Sequence, residues 1–228
     1  MGAQTRFSII FALLLPAGLP GAQLDDVLAK MDQSAGKFTS MAANLTKMTY
    51  TKVIDDKSQE SGTIVLKKGK GRDLHALLEF KKPDPKMISL NGIKAEYYLP
   101  NIKTVQEWNL GKKGQVEQFL LLGFGTTGKD LASNYSVKYA GEETVAGQKA
   151  YHLELLPKSS TMRERLKQLE LWITEGESGS YPVQQKFVEP SGNFSTITYS
   201  NVKLNGNIPD DALKLKLPKG VKRESPQK

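Results

Sequence analysis

The feature that most constrains this chain is a change of period. From about residue 41 onward, apolar and polar side chains alternate in short stretches, each closed by Gly, Pro, Asn or Asp. Alternation with period two is the signature of a strand with one buried face. Strands are predicted at ANLTKMTYTKVI (43–54), SGTIVLKK (61–68), DLHALLEFKK (73–82), KMISL (86–90), KAEYYL (94–99) and IKTVQEWNL (102–110). The rhythm resumes at NYSVKYAGEETV (134–145), QKAYHLELLP (148–157), QLELWITE (168–175), PVQQKFVEP (182–190), NFSTITYSNVKLN (193–205) and LKLKLP (213–218). Asn91-Gly92 between two of these stretches is a strong two-residue hairpin signal. Eleven or twelve short strands at this spacing predict a mainly β fold, an antiparallel sandwich or barrel. No linker or shift in composition divides the chain, so one continuous sheet is expected.

The other segments are few. Residues 24–38 place Leu24, Val27, Leu28, Met31, Ala35 and Phe38 at helical spacing, with Asp25 and Asp26 early, where they suit a helix dipole. QVEQFLLLGF (115–124) is short and apolar, and TTGKDLAS (126–133) reads as a capped helical turn or a loop. SSTMRERLKQ reads as a surface connection, and Lys219–Lys228 as a polar tail. Asp55-Asp56, Glu142-Glu143 and Asp210-Asp211 read as turn formers, since adjacent strand residues point to opposite faces and cannot share acid–base work.

The N-terminus has the layout of a secretory signal peptide. Arg6 precedes an apolar run from Phe7 to Leu15, followed by a Pro/Gly/Ala stretch. The run is about half the ~20 residues a membrane-spanning helix needs, and an uncleaved anchor is the competing reading. The expected organisation is a signal peptide over residues 1–22 and a single domain over residues 23–228, exported and soluble.

Composition removes whole classes of function. The 228 residues contain no cysteine, which excludes disulfides, thiol catalysis and Cys-ligated metal. His75 and His152 are the only histidines, and a lone strand histidine is far more often structural than a ligand. No catalytic residue, metal site or cofactor is expected. The net charge of +8 is spread along strands and turns, without interleaved stacking aromatics, so nucleic-acid binding is not expected. A positive surface suits anionic lipid headgroups or an acidic partner, or is simply solvated.

A large curled sheet has an apolar concave face that must be covered or filled. One helix of ~15 residues covers only part of it. The rest either fills as core or holds an apolar ligand; the sequence leaves both open.

The ordered set S-G-T-I-V-L-K-K (61–68), L-E-F-K-K-P (78–83), N-G-I-K-A-E-Y-Y-L-P (91–100), L-E-L-W-I-T (169–174), S-G-N-F-S-T-I-T-Y-S-N-V (191–202) and L-P-K-G-V (217–221) resembles the periplasmic outer-membrane lipoprotein carrier family, LolA. The resemblance implies an unclosed antiparallel β-barrel of about eleven strands with a helical lid. It also implies a periplasmic, non-enzymatic, monomeric carrier whose cavity takes the acyl chains of lipoproteins or related lipids. The donor would be an inner-membrane ABC transporter and the acceptor an outer-membrane receptor. In that family a basic residue at the end of the second strand contacts the lid. The matching positions here are Lys67 and Lys68, followed by Gly69 where the family has proline. Candidate cavity residues are Leu28 and Met31 on the helix, Leu66, Phe80, Trp108 and Leu171 on strands, and Phe119 and Leu122 in the middle insertion. The alternative on the same fold is a periplasmic regulator that senses a lipid or peptide.

Overall fold

The computed structural model describes residues 20–69, 74–109 and 122–226. Helix α1 (Pro20–Lys37) leads into β1 (Ser40–Thr51), β2 (Asp56–Lys68), β3 (Leu74–Lys82), β4 (Lys86–Asn91), β5 (Lys94–Leu99) and β6 (Thr104–Asn109). Then come α2 (Gly128–Asn134), β7 (Tyr135–Val145), β8 (Gln148–Pro157), α3 (Ser160–Arg163), β9 (Gln168–Gly176), β10 (Gly179–Val188) and β11 (Phe194–Leu204), with a short β12 (Lys222–Glu224) near the end. All twelve strands form one unclosed sheet in the order β12-β6-β5-β4-β3-β2-β1-β11-β10-β9-β8-β7. Every pairing is antiparallel except that of β12, which lies parallel to β6.

Register decides what each face carries. Met41 stands opposite Leu66, Leu66 opposite Ala76, Ala76 opposite Leu90, and Ala95 beside Trp108. On the other side of β1, Leu45 pairs with Tyr199, Ile197 with Gln185, and Gln185 with Leu171. Because the strand period is two, these residues share one face, the one covered by α1. Here it is called the concave face. At Gly62 the sheet closes tightly: a Cβ there would lie 1.9 Å from the carbonyl oxygen of Glu79 on β3.

The convex face divides in two. Over β7–β10 it carries a polar ladder. His152 lies 2.9 Å from Glu143 and 3.0 Å from Glu170, and it stacks on Trp172 with ring centroids 4.3 Å apart. Trp172 donates to Glu143, and Lys186 donates to Glu170. His152 is thus structural. Glu143 lies within β7 and not in a turn, and its neighbour Glu142 pairs with Lys149. Over β2–β6 the convex face is crossed by residues 206–221, a strap that ends in β12. Ser89 Oγ donates to the Leu213 carbonyl, and Arg223 pairs with Glu96 and Glu107.

That strap corrects the predicted strand at 213–218. Leu213, Leu215 and Leu217 are half-buried and Lys214 and Lys216 exposed, so the alternation is real. The segment lies over the sheet without joining its ladder, because a period-two pattern specifies a buried side and not a hydrogen-bonding partner. The true last strand sits in the expected polar tail. Two further differences come from local burial. Residues 160–166 are more than a surface connection: Met162 and Leu166, four apart on α3 and its end, insert into the core. Helix α1 begins at Pro20, so Asp25 and Asp26 lie beyond its first turn and do not sit at its positive end. The stretch 110–121, including Phe119, lies outside the described residues.

Two substitutions test this framework. Gly62→Ala must force β2 from β3 and should cost about 2–4 kcal/mol, a fall of roughly 5–15 °C in Tm by calorimetry. A change of under a degree would mean that the close approach is not rigid. His152→Ala removes one of the two hydrogen-bond partners of the buried Glu170, leaving Lys186, and should cost about 1–2 kcal/mol with a shift in Trp172 fluorescence; an unmoved emission would contradict the stacked arrangement.

Candidate functional site

Helix α1 meets the sheet through one apolar stripe. Val27, Met31 and Ala35 are buried, and Leu24 and Leu28 are half-buried beside them. Opposite lie Leu153 and Leu155 on β8 and Leu169, Leu171 and Ile173 on β9. Helix α2 joins the same cluster through Leu131 and is capped by Thr127, whose side chain accepts from the Asp130 amide at 2.9 Å. A Cβ on Gly128 would stand 2.7 Å from Leu28 Cβ, so α1 and α2 touch where only glycine fits. Burial pushes the Tyr135 phenol in this cluster up to about 12.

The helix is latched by three polar contacts at its margin. Lys30 Nζ lies 2.5 Å from Glu175 at the end of β9, and Tyr151 donates to the same carboxylate oxygen at 3.1 Å. The Ser180 amide donates to Ser34 Oγ at 2.7 Å. The Gly128 amide donates to Asp32 at 2.7 Å and ties the two helices together. The Lys30 ammonium holds the Glu175 carboxyl below the usual carboxylate range, chiefly through that hydrogen bond.

A second apolar cluster covers the concave face from β1 to β5, with Ile64, Leu66, Leu78, Phe80, Ile88 and Leu90 among its members. Phe38, just past α1, and Phe124 close on it. Phe124 meets Phe38 at 6.5 Å and meets Tyr199 edge-on at 5.2 Å. Gly125, at φ +67°, leaves room for the Phe38 ring, which a Cβ would approach to 2.8 Å. Between the clusters stands Gln185, wholly buried and polar. Its amide donates to the Leu122 carbonyl at 2.5 Å and its oxygen accepts from Tyr199 at 2.8 Å. This pins the segment that leads into α2 against the middle of the sheet.

The candidate residues distribute over both clusters. Met31 is buried on the inner face of the lid and Leu171 on the strand beneath it, with half-buried Leu28 and Leu122 packed on the same cluster. Leu66 and Phe80 are buried in the second cluster and Trp108 is half-buried at its margin. The strand candidates Leu66, Phe80, Trp108 and Leu171 all face the concave side by register. Lys67 points to the convex side. Its Nζ donates to the Ile208 carbonyl at 2.9 Å and to Asp210 at 2.6 Å, so its partner is the strap and not α1. Lys68 is exposed at the end of β2.

Sequence reasoning missed Gln185 and the latch. A glutamine among QQKF carries no pattern that marks it as buried, and the Lys30–Glu175 pair spans 145 residues. Leu131 and the edge-on pair of Phe124 and Tyr199 were equally out of reach, since each depends on how the middle segment folds back.

Comparison with known proteins agrees with this architecture. The family described as outer membrane lipoprotein carrier protein LolA matches residues 36–216. An uncharacterized protein of Methanocaldococcus jannaschii is 30% identical over 126 residues, which is 55% of this chain and 34% of that protein. The chain therefore spans about a third of the length of that relative. An uncharacterized conserved protein from Thermus thermophilus superposes with a TM-score of 0.55 at 13% identity, over 90% of this chain and 99% of its own. MucB superposes with a TM-score of 0.53 at 14% identity, over 85% of this chain and 63% of its own. These two structures share the fold.

The latch makes a prediction about lid motion. Glu175→Gln removes the charge partner of Lys30, and exposed pairs of this kind contribute about 0.2–1 kcal/mol. Amide exchange over 24–35 should rise roughly two- to fivefold, with β1–β6 unchanged. Acid should do the same. A carboxylate whose folded pKa is depressed stabilises the closed form above its ordinary value and loses that contribution as pH falls through the lowered one. Exchange that is indifferent to both would show that the apolar stripe alone holds the lid.

Proposed function

The chain belongs to the LolA family of outer membrane lipoprotein carrier proteins, and from that premise we propose that it is a periplasmic carrier that shields acyl chains between the concave face and the α1–α2 lid. The observation that carries this reading is the form of the lid. It is a helix with a continuous apolar stripe, seated on an apolar sheet face and held at its margin by three polar contacts, one exposed and two part-buried.

The energetics suit such work. A triacylated lipoprotein exposes about 45 methylenes, at roughly 0.8 kcal/mol each, so its free passage through water is excluded. A carrier must bury those chains and also release them. Met31, Leu171, Leu28 and Leu122 would contact chains when the lid lifts, with Leu66, Phe80 and Trp108 extending the surface across the sheet. Phe119 is a further candidate. Lys67 would act through the strap. The cargo would be received from an inner-membrane ABC transporter and handed to an outer-membrane receptor, by affinity differences and with no reaction on the carrier.

The direct experiment is to purify the protein from the periplasmic fraction of a host with two membranes and identify any bound lipid by mass spectrometry. Purified carrier is then incubated with membranes loaded with a triacylated lipoprotein. Bound acyl lipid and stoichiometric release of the lipoprotein into solution are expected. A lipid-free protein that releases nothing would sink the reading.

A further inference from the structure

Among the described residues the large apolar side chains left exposed are Val53, Ile54, Ile93, Ile102 and Leu156. Surface hydrophobics scattered singly need no explanation. These are not scattered. Register puts all but Ile93 at one end of the strands, where β1 turns into β2, β5 turns into β6 and β8 ends.

Val53 and Ile54 form the apex of the β1–β2 hairpin and are 90% and 68% exposed. Past its last pair with β3, Ser61 with Lys82, the β2 arm continues through residues 56–60, about 15 Å of strand without a neighbour on that side. The apex is braced where it stands. The Asp55 amide donates to the Lys52 carbonyl at 3.3 Å, and the Tyr50 hydroxyl donates to Asp55 at 2.9 Å. The Lys52 amide donates to Asn193 Oδ1 at 3.0 Å. A turn tied by three polar contacts thus holds two aliphatic side chains out in water.

Behind the apex an apolar band continues on the convex side. Tyr50 stands opposite Phe194, Phe194 opposite Val188 and Val188 opposite Gln168, and Leu156 is one position beyond the Leu155–Leu169 pair. Tyr50, Phe194 and Val188 are half-buried and belong to neither core cluster. The rings of Tyr50 and Phe194 lie 5.0 Å apart. Such a pair, one ring ending in a hydroxyl, suits the boundary between hydrocarbon and headgroups. Cations outnumber acids around this end. On the apex Lys52 and Lys57 balance Asp55 and Asp56. At the neighbouring turns Lys81, Lys82 and Lys103 stand against Asp84 alone, all exposed. Between β8 and β9, and beside them after β10, Lys158, Arg163, Arg165 and Lys167 stand against Glu164 and Glu189.

We infer that this end of the sheet docks on an anionic lipid bilayer. Val53 and Ile54 enter the acyl region, Tyr50 and Phe194 sit at headgroup level, and the surrounding cations meet lipid phosphates. The apolar tips sit on three separate elements at one end, which suits an extended surface better than a single binding groove. Two aliphatic side chains and a modest excess of cations give weak, reversible attachment. The inference stands apart from the carrier reading, which needs only the concave face and its lid.

The test sediments the purified protein with vesicles of pure phosphatidylcholine, or of phosphatidylcholine mixed with phosphatidylglycerol. The wild type should bind the anionic vesicles several-fold better than the neutral ones, and less so at high salt. Val53→Ser/Ile54→Ser should weaken binding to anionic vesicles about tenfold. Ile93→Ser, an equal loss of exposed apolar surface at the other end, should leave it unchanged. Lys81→Gln/Lys82→Gln/Lys103→Gln should lower it several-fold and narrow the gap between the two vesicles. All four residue changes lie at exposed sites, so an unshifted Tm confirms that each variant is folded. An apex variant that binds like the wild type, or a wild type that binds both vesicles equally, would overturn the inference. Binding to neither vesicle would also overturn it and leave the apex to a protein surface.

Discussion

One row of side chains across one sheet governs the molecule. Met41, Leu66, Ala76 and Leu90 stand in line over four neighbouring strands, all fully or nearly fully buried, and their neighbours along each strand point the other way. A slip of one residue in any pairing would turn a whole apolar set toward the convex side. The concave face therefore exists only in this register, and everything that closes on it depends on it: Phe38, Phe124, α1 and α2. The polar ladder around His152 and the strap on the convex side are the complement of the same alternation.

The magnitudes explain how the lid can be both seated and movable. Burial of Val27 and Met31 contributes about 1.5–3 kcal/mol each, with smaller amounts from the half-buried Leu24 and Leu28. The exposed Lys30–Glu175 contact adds less than about 1 kcal/mol. Lifting the helix thus costs several kcal/mol. A single chain of sixteen carbons brings roughly 13 kcal/mol of burial, enough to displace the helix with a remainder that a receptor can overcome. A lid with a much larger apolar stripe would exclude cargo, and one with a smaller stripe would leave the empty face wet.

Much of this was legible from periodicity. The helix stripe from Leu24 to Phe38 and the strand segments all lie where the pattern puts them, within a few residues at their ends, with the exception of 213–218. That exception is informative. LKLKLP alternates because one side rests on the sheet, and no local signal separates lying on a sheet from joining it. The concave side of Leu66, Phe80, Trp108 and Leu171 follows from register, which needs the pairing of strands far apart in sequence. Met162 and Leu166 were hidden in a charged stretch, where two apolar residues four apart are too few to mark a helix. The family resemblance points Lys67 toward the lid, whereas its ammonium meets Asp210, a partner 143 residues away.

The central claim is that acyl chains enter beneath α1, and a locked lid tests it most directly. Ser34 and Ser180 meet at the edge of the helix, where the Ser180 amide donates to Ser34 Oγ. The chain has no cysteine of its own, so a pair introduced at 34 and 180 gives a single disulfide that a mild reductant opens. Binding of a fluorescent long-chain acyl probe is measured in both states. The account predicts no uptake while the bridge is closed and full recovery on reduction. Equal uptake in the two states would place the chains somewhere other than under this helix.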